Sequence, residues 1–126
     1  MLGPEGELLS REPLADAVAE MQKGGAEAVL VSNAPPEDIT KAAGRMKGFA
    51  KIPFGAFAHI GRFSPPSWKF DFHPQFIETE AWPPAKYAGE ARRWKDAGAR
   101  IVGGCCGTSP AHTKALRELL GAGRGN

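Results

Sequence analysis

Three short apolar runs, AEAVLVSN (26–33), IPFGAFAHI (52–60) and ARIVGGCC (99–106), alternate along the chain with segments of helical periodicity. That alternation limits the possible folds more than any other feature. A strand that returns through a helix to the next strand lies parallel to it, joined by a right-handed crossover. Residues 12–23 put Leu14, Ala17, Val18 and Met21 at helical spacing before a Gly24–Gly25 stop. Residues 35–48 open on proline with acids in the first turn, a favourable helix start. Residues 84–98 carry Tyr87, Ala91 and Trp94 on one stripe. The last helix is expected from Ser109 as N-cap and Pro110 at its first position, with Leu116, Leu119 and Leu120 facing inward. The fold class is therefore α/β, with parallel strands alternating with helices. The valine-rich run 26–33 reads as a strand buried on both faces. Residues 61–83, rich in proline and aromatics without clean periodicity, read as a long loop, and the tail 121–126 as frayed.

With 126 residues the chain forms one domain, a size that buries roughly two-thirds of the unfolded surface. Sixteen Lys and Arg against fourteen Asp and Glu leave a formal charge of +2 with no like-charge run, which gives no reason to expect a nucleic-acid or membrane partner. No apolar run approaches the ~18–20 residues of a membrane span, and the opening MLGPEGELLSREP lacks the apolar core of a signal peptide. The expected compartment is the cytoplasm, where thiols stay reduced.

The three runs end in Ser32-Asn33, in His59 and in Gly104-Cys105-Cys106. In parallel α/β folds, sites assemble at the C-terminal edge of the strands, and strands ~4.8 Å apart let such ends converge on one ligand. Both cysteines of the chain sit there, side by side. A structural disulfide between them is disfavoured: neighbouring Cα atoms lie ~3.8 Å apart, below the usual ~4.4–6.8 Å of a bridge. Three readings remain open on the residues alone. They are a buried packing pair, a glycine-rich turn that cradles phosphate at a helix N-terminus, and a metal corner.

The run GARIVGGCCGTSPAHTKAL closely resembles the last strand–loop–helix unit of the zinc-dependent homocysteine S-methyltransferases. LSREPLADAVAEMQKGGAEAVLVSNAPPEDI and PFGAFAHIG resemble the two units before it, so the likeness covers nearly the whole chain. It implies the C-terminal portion, about three strands, of a TIM (β/α)8 barrel, and hence a fragment or a chain completed by a partner or by self-association. It implies Zn²⁺ held by Cys105 and Cys106, with Gly104, Asn33 and His59 beside the substrate. The function implied is methyl transfer from a sulfonium or ammonium donor to homocysteine or a similar small thiol. The chemistry behind it is that a free thiol, with a pKa near ~8.5, is mostly protonated at neutral pH, whereas a metal-bound thiol is not.

The sequence departs from the family pattern at one ligand. Asn33 stands where the third cysteine is expected, and an amide oxygen is a poor substitute for thiolate on zinc. His59, which closes the middle run, is a candidate replacement, because a Cys₂His set with one open position is an established catalytic arrangement. The alternative is a non-catalytic remnant acting as an assembly subunit. His112 reads as a capping group and His73 as a solvent-exposed loop residue. Trp68, Trp82 and the phenylalanines between 63 and 76 read as a loop packed on itself, and Tyr87 and Trp94 as core.

Overall fold

The computed structural model describes residues 2–64 and 75–121. Four helices, α1 (Leu14–Lys23), α2 (Pro36–Phe49), α3 (Pro84–Asp96) and α4 (Pro110–Gly121), alternate with strands β1 (Val29–Val31), β2 (Phe54–Ala58) and the later β5 (Ile101–Gly104). Every helix starts on a proline or directly after one, so the chain uses a preset φ and a missing N–H to enter each helix. Trp68, His73 and residues 122–126 lie outside the described residues.

β1, β2 and β5 form one parallel sheet with β2 in the middle. The register aligns Val31 with Ala56 and Ala56 with Val102 in a row that faces the helices. Ile39, Ala42, Ala43 and Met46 of α2 and Tyr87, Ala91 and Trp94 of α3 close over that face, all without solvent exposure. Between α2 and α3 the Trp94 indole N–H donates to Thr40 Oγ1 at 2.7 Å, and the Thr40 hydroxyl meets the Glu90 carboxylate. This satisfies polar groups that would otherwise be costly to bury.

The opposite face corrects one expectation. Leu30 and Ile101 are 46% and 39% exposed, so the run 26–33 is not buried on both faces. Register puts Leu30, Gly55 and Ile101 in one row. The two large side chains lean across the glycine: a Cβ at Gly55 would lie 2.5 Å from Leu30 Cδ2 and 2.9 Å from Ile101 Cβ. Among the described residues nothing covers this row, and β1 and β5 each pair only with β2.

The second correction concerns residues 61–83, expected as loop throughout. Arg62–Ser64 and Gln75–Ile77 form a short antiparallel pair, β3 and β4, followed by a 3₁₀ turn over Thr79–Ala81. The cause is a cross-strand aromatic pair: Phe63 opposes Phe76 with ring centroids 4.8 Å apart. Trp82 is buried and carries Lys86 of α3 over its ring at 4.2 Å, so the packing of the segment on itself rests on Phe63 and Phe76, while Trp82 also meets α3.

Candidate metal and thiol site

The three strand ends are stitched together by backbone bonds. Cys105 N–H donates to Ala58 O at 3.1 Å, Ile60 N–H to Cys106 O at 3.0 Å, and His59 N–H to Ala34 O at 3.1 Å. The only tyrosine of the chain reinforces this edge from below. The Tyr87 hydroxyl accepts from Ala58 N–H at 3.1 Å and has Ala58 O and Gly103 O each at 2.8 Å. Burial raises its pKa, so it stays a neutral donor. From sequence Tyr87 reads as core; its hydroxyl also ties β2 to β5 immediately before the cysteines.

The GGCCGT turn has a spatial reason for its glycines. A Cβ on Gly104 would lie 2.2 Å from Thr108 Oγ1, and that hydroxyl is committed to Cys105 O at 2.7 Å. Gly107 has φ of +82°, and a Cβ there would meet Phe76 Cε1 at 2.6 Å. The turn is thus drawn tight under Cys105 and Cys106, which are both free thiols, the first half-buried and the second exposed. After it, Ser109 N–H donates to His112 Nδ1 at 3.2 Å. The opposite ring nitrogen therefore carries the proton that it gives to Trp82 O at 2.8 Å. His112 caps α4 as expected.

Asn33 comes to the cysteines. Its φ of +59° is left-handed, a conformation asparagine tolerates better than most residues. In that conformation its Oδ1 accepts a hydrogen bond from Cys105 Sγ at 3.2 Å. Cys106 has its thiol pKa raised by partial burial, by the neighbouring Cys105 and by a hydrogen bond with it. A thiol raised in this way is a poor free nucleophile at neutral pH.

His59 does not come to the thiols. It is buried with its ring edge-on to Phe63 at 5.5 Å and to Phe76 at 5.4 Å, and burial lowers its pKa. Among the described residues no three His, Cys, Asp or Glu side chains cluster to hold a metal. The Cys₂His set expected from the sequence is therefore not assembled, because the β3–β4 aromatics hold the imidazole. The donor set present is two thiols and one amide oxygen.

One titratable residue at this edge is not singled out by sequence. Asp38, in the first turn of α2, has its pKa raised to about 6. Burial is the main cause, Lys41 opposes it, and Glu37, Glu5 and Glu7 add to it. A carboxyl whose folded pKa is raised stabilises the fold in full below pH 3.8 and loses that contribution as pH rises through about 6. The Tm of Asp38→Asn relative to the native chain is therefore expected to move in the variant's favour between pH 4 and pH 8. A difference that stays flat across that range contradicts the burial of this carboxyl. The sequence signal, an acid at a helix start, says nothing of depth.

Residues 3–120 match the model of the homocysteine S-methyltransferase family. The chain belongs to that family. It is 30% identical to betaine–homocysteine S-methyltransferase 1 of Danio rerio over 140 residues, covering 98% of the chain and 33% of the relative. It is 32% identical to an S-methylmethionine–homocysteine S-methyltransferase of Pongo abelii, covering 98% of the chain and 37% of the relative. The oxidised form of the Escherichia coli homocysteine methyltransferase MmuM superposes with a TM-score of 0.69 at 25% identity, over 93% of this chain and 33% of that one. A metallated form of the same protein superposes with a TM-score of 0.68. The chain thus spans about a third of the length of the relatives it matches. Its parallel βα units correspond to that portion of a TIM barrel. The open edges of β1 and β5 and the bare Leu30–Ile101 row are the faces that such a barrel turns to its other strands and to its interior.

Proposed function

We propose that this domain supplies the metal corner of a homocysteine S-methyltransferase, acting with barrel strands that complete its sheet. The observation that carries the reading is the convergence of Cys105, Cys106 and Asn33 at the C-terminal edge, with Asn33 Oδ1 hydrogen-bonded to Cys105 Sγ. In this reading Cys105 and Cys106 hold Zn²⁺ as thiolates, and Asn33 stands as the weaker third donor. When bound, the metal keeps an incoming thiol deprotonated for attack on a methyl group carried by sulfonium or ammonium.

The chain's own residues do the positioning. Gly104 and Gly107 let the turn close tightly under both thiols, and Thr108 and Tyr87 fix the backbone behind them. The methylated product would be methionine, which places the reaction in methionine biosynthesis, in the cytoplasm where both thiols stay reduced. No described helix is long and apolar enough to cross a membrane. The strands that pair with the β1 and β5 edges and cover Leu30 and Ile101 come from a longer form of this polypeptide, from a partner chain or from a second copy.

A second reading, an assembly subunit without catalysis, is favoured by one observation, Asn33 in place of a thiolate ligand. Co-expression with the barrel portion of a relative that this chain does not span separates the two. Methylation of homocysteine that disappears in Cys106→Ala supports the first. An intact assembly that binds no zinc and methylates nothing establishes the second.

A further inference from the structure

A groove of about 1310 Å³ runs along the outer edge of the sheet, between β5 and α4. Val102 and Leu116 give it an apolar floor, and its charged lining is Lys95, Arg100, Lys114 and Arg117 against the single acid Glu118. One edge of β5 is bonded to β2, and the other has no strand partner among the described residues.

The four cations are not equally committed. Lys95 Nζ donates to Leu120 O at 3.1 Å and so holds the end of α4, and Lys114 lies 3.8 Å from Glu118. Arg100 and Arg117 are exposed and have no carboxylate partner among the described residues, whereas Lys41, Arg62 and Arg93 elsewhere on the surface each have one. Ahead of β1, at the other end of the sheet, the sign is reversed. The segment leading into that strand exposes Glu12, Asp16, Glu20 and Glu27 against Arg11 and Lys23. The two open edges thus differ in polarity, and such a difference selects which partner surface docks where.

We infer that the β5–α4 groove receives an extended acidic segment of the completing barrel portion, added as a strand to β5 with its carboxylates turned toward Arg100 and Arg117. The inference rests on the proposed reading that further strands complete this sheet. The added backbone supplies the donors and acceptors that the open edge of β5 lacks. Strand alternation divides its side chains. One face continues the row of the exposed Ile101 and is apolar, and the other looks toward the cations of α4 and is acidic. A basic segment meets four like charges against one acid. A nucleic-acid strand matches the charge but not the edge, since no aromatic side chain lines the groove for bases to stack on.

The test uses the full 126-residue chain and two end-blocked, fluorescently labelled peptides, one alternating valine with glutamate and the other valine with lysine. The glutamate peptide is expected to bind saturably, to shift the amide signals of Val102 and Gly103, and to weaken several-fold as ionic strength rises from ~0.05 M to ~0.5 M. Arg100→Glu combined with Arg117→Glu weakens it at least tenfold. Arg45→Glu, a charge change of the same kind on the exposed face of α2, leaves binding nearly unchanged. The inference is overturned by a lysine peptide that binds as tightly, by β5 amides that do not respond, or by a double variant that binds as the native chain does. It is equally overturned by a single-stranded oligonucleotide of equal charge that binds more tightly than the glutamate peptide, or by a native chain that self-associates through these arginines. Co-expression with the complementary barrel portion separates this failure from that of the reading beneath it. Assembly that the double variant leaves intact overturns the acidic docking and keeps the completed sheet, whereas no assembly with the native chain overturns both.

Discussion

Asn33→Cys is expected to tighten zinc binding by about 100-fold or more, equivalent to about 2.7 kcal/mol. The substitution puts a third thiolate where an amide oxygen now lies 3.2 Å from Cys105 Sγ. Thiolate is the stronger donor to a borderline-soft ion, and three protein ligands with one open position is the usual catalytic count. The same change should cost folding stability. Position 33 sits at φ of +59°, where cysteine lacks the tolerance of asparagine, a strain of about 1 kcal/mol. Metal affinity and metal-free Tm should therefore move in opposite directions, which a purely structural role for Asn33 does not predict. Competition against a chelating indicator, read beside thermal melts without metal, measures both. An Asn33→Cys chain that binds zinc no more tightly than the native one removes position 33 from the metal corner.

Trp94→Ala is expected to be the most destabilising single change in the core, by about 3–5 kcal/mol. Trp94 is fully buried, edge-on to Tyr87 at 5.6 Å, and its indole N–H is bonded to Thr40 Oγ1. Truncation opens a cavity between α2 and α3 and releases Thr40 and Glu90 from their network. It also loosens Tyr87, whose hydroxyl spans Ala58 and Gly103 just below the cysteines. A loss of this size is a large fraction of the 5–15 kcal/mol that small domains possess. Urea denaturation should show most of the variant unfolded under conditions where the native chain is folded. A midpoint within experimental error of the native value contradicts the packing described for α2 and α3.

The helices were legible from different signals, an apolar stripe for α1 and α3, a proline entry with first-turn acids for α2, and both proline and stripe for α4; the parallel order followed from their alternation with strands. The β3–β4 pair was not legible. Phe63 and Phe76 make a single alternation each, separated by a proline-rich stretch, and periodicity over three residues has no weight. The exposure of Leu30 was hidden for a related reason. A strand facing a barrel interior and one facing helices on both sides have the same apolar run, and only the register across Gly55 distinguishes them. At the site, Cys105 and Cys106 could be read from the motif and Asn33 from its place at a strand end. The rotamer that brings Asn33 Oδ1 to Cys105, and the two phenyl rings that hold His59 away, depend on side-chain packing that no spacing rule encodes.

Stepwise addition of Co²⁺ to the reduced native chain tests the central claim most directly, since thiolate ligation gives a charge-transfer absorption that oxygen and nitrogen ligands do not. The account predicts a band that saturates at one metal per chain, weakens in Cys105→Ser and in Cys106→Ser, disappears when both are changed, and strengthens in Asn33→Cys. A native chain that develops no such band with metal in excess, or one whose band survives loss of both thiols, contradicts it.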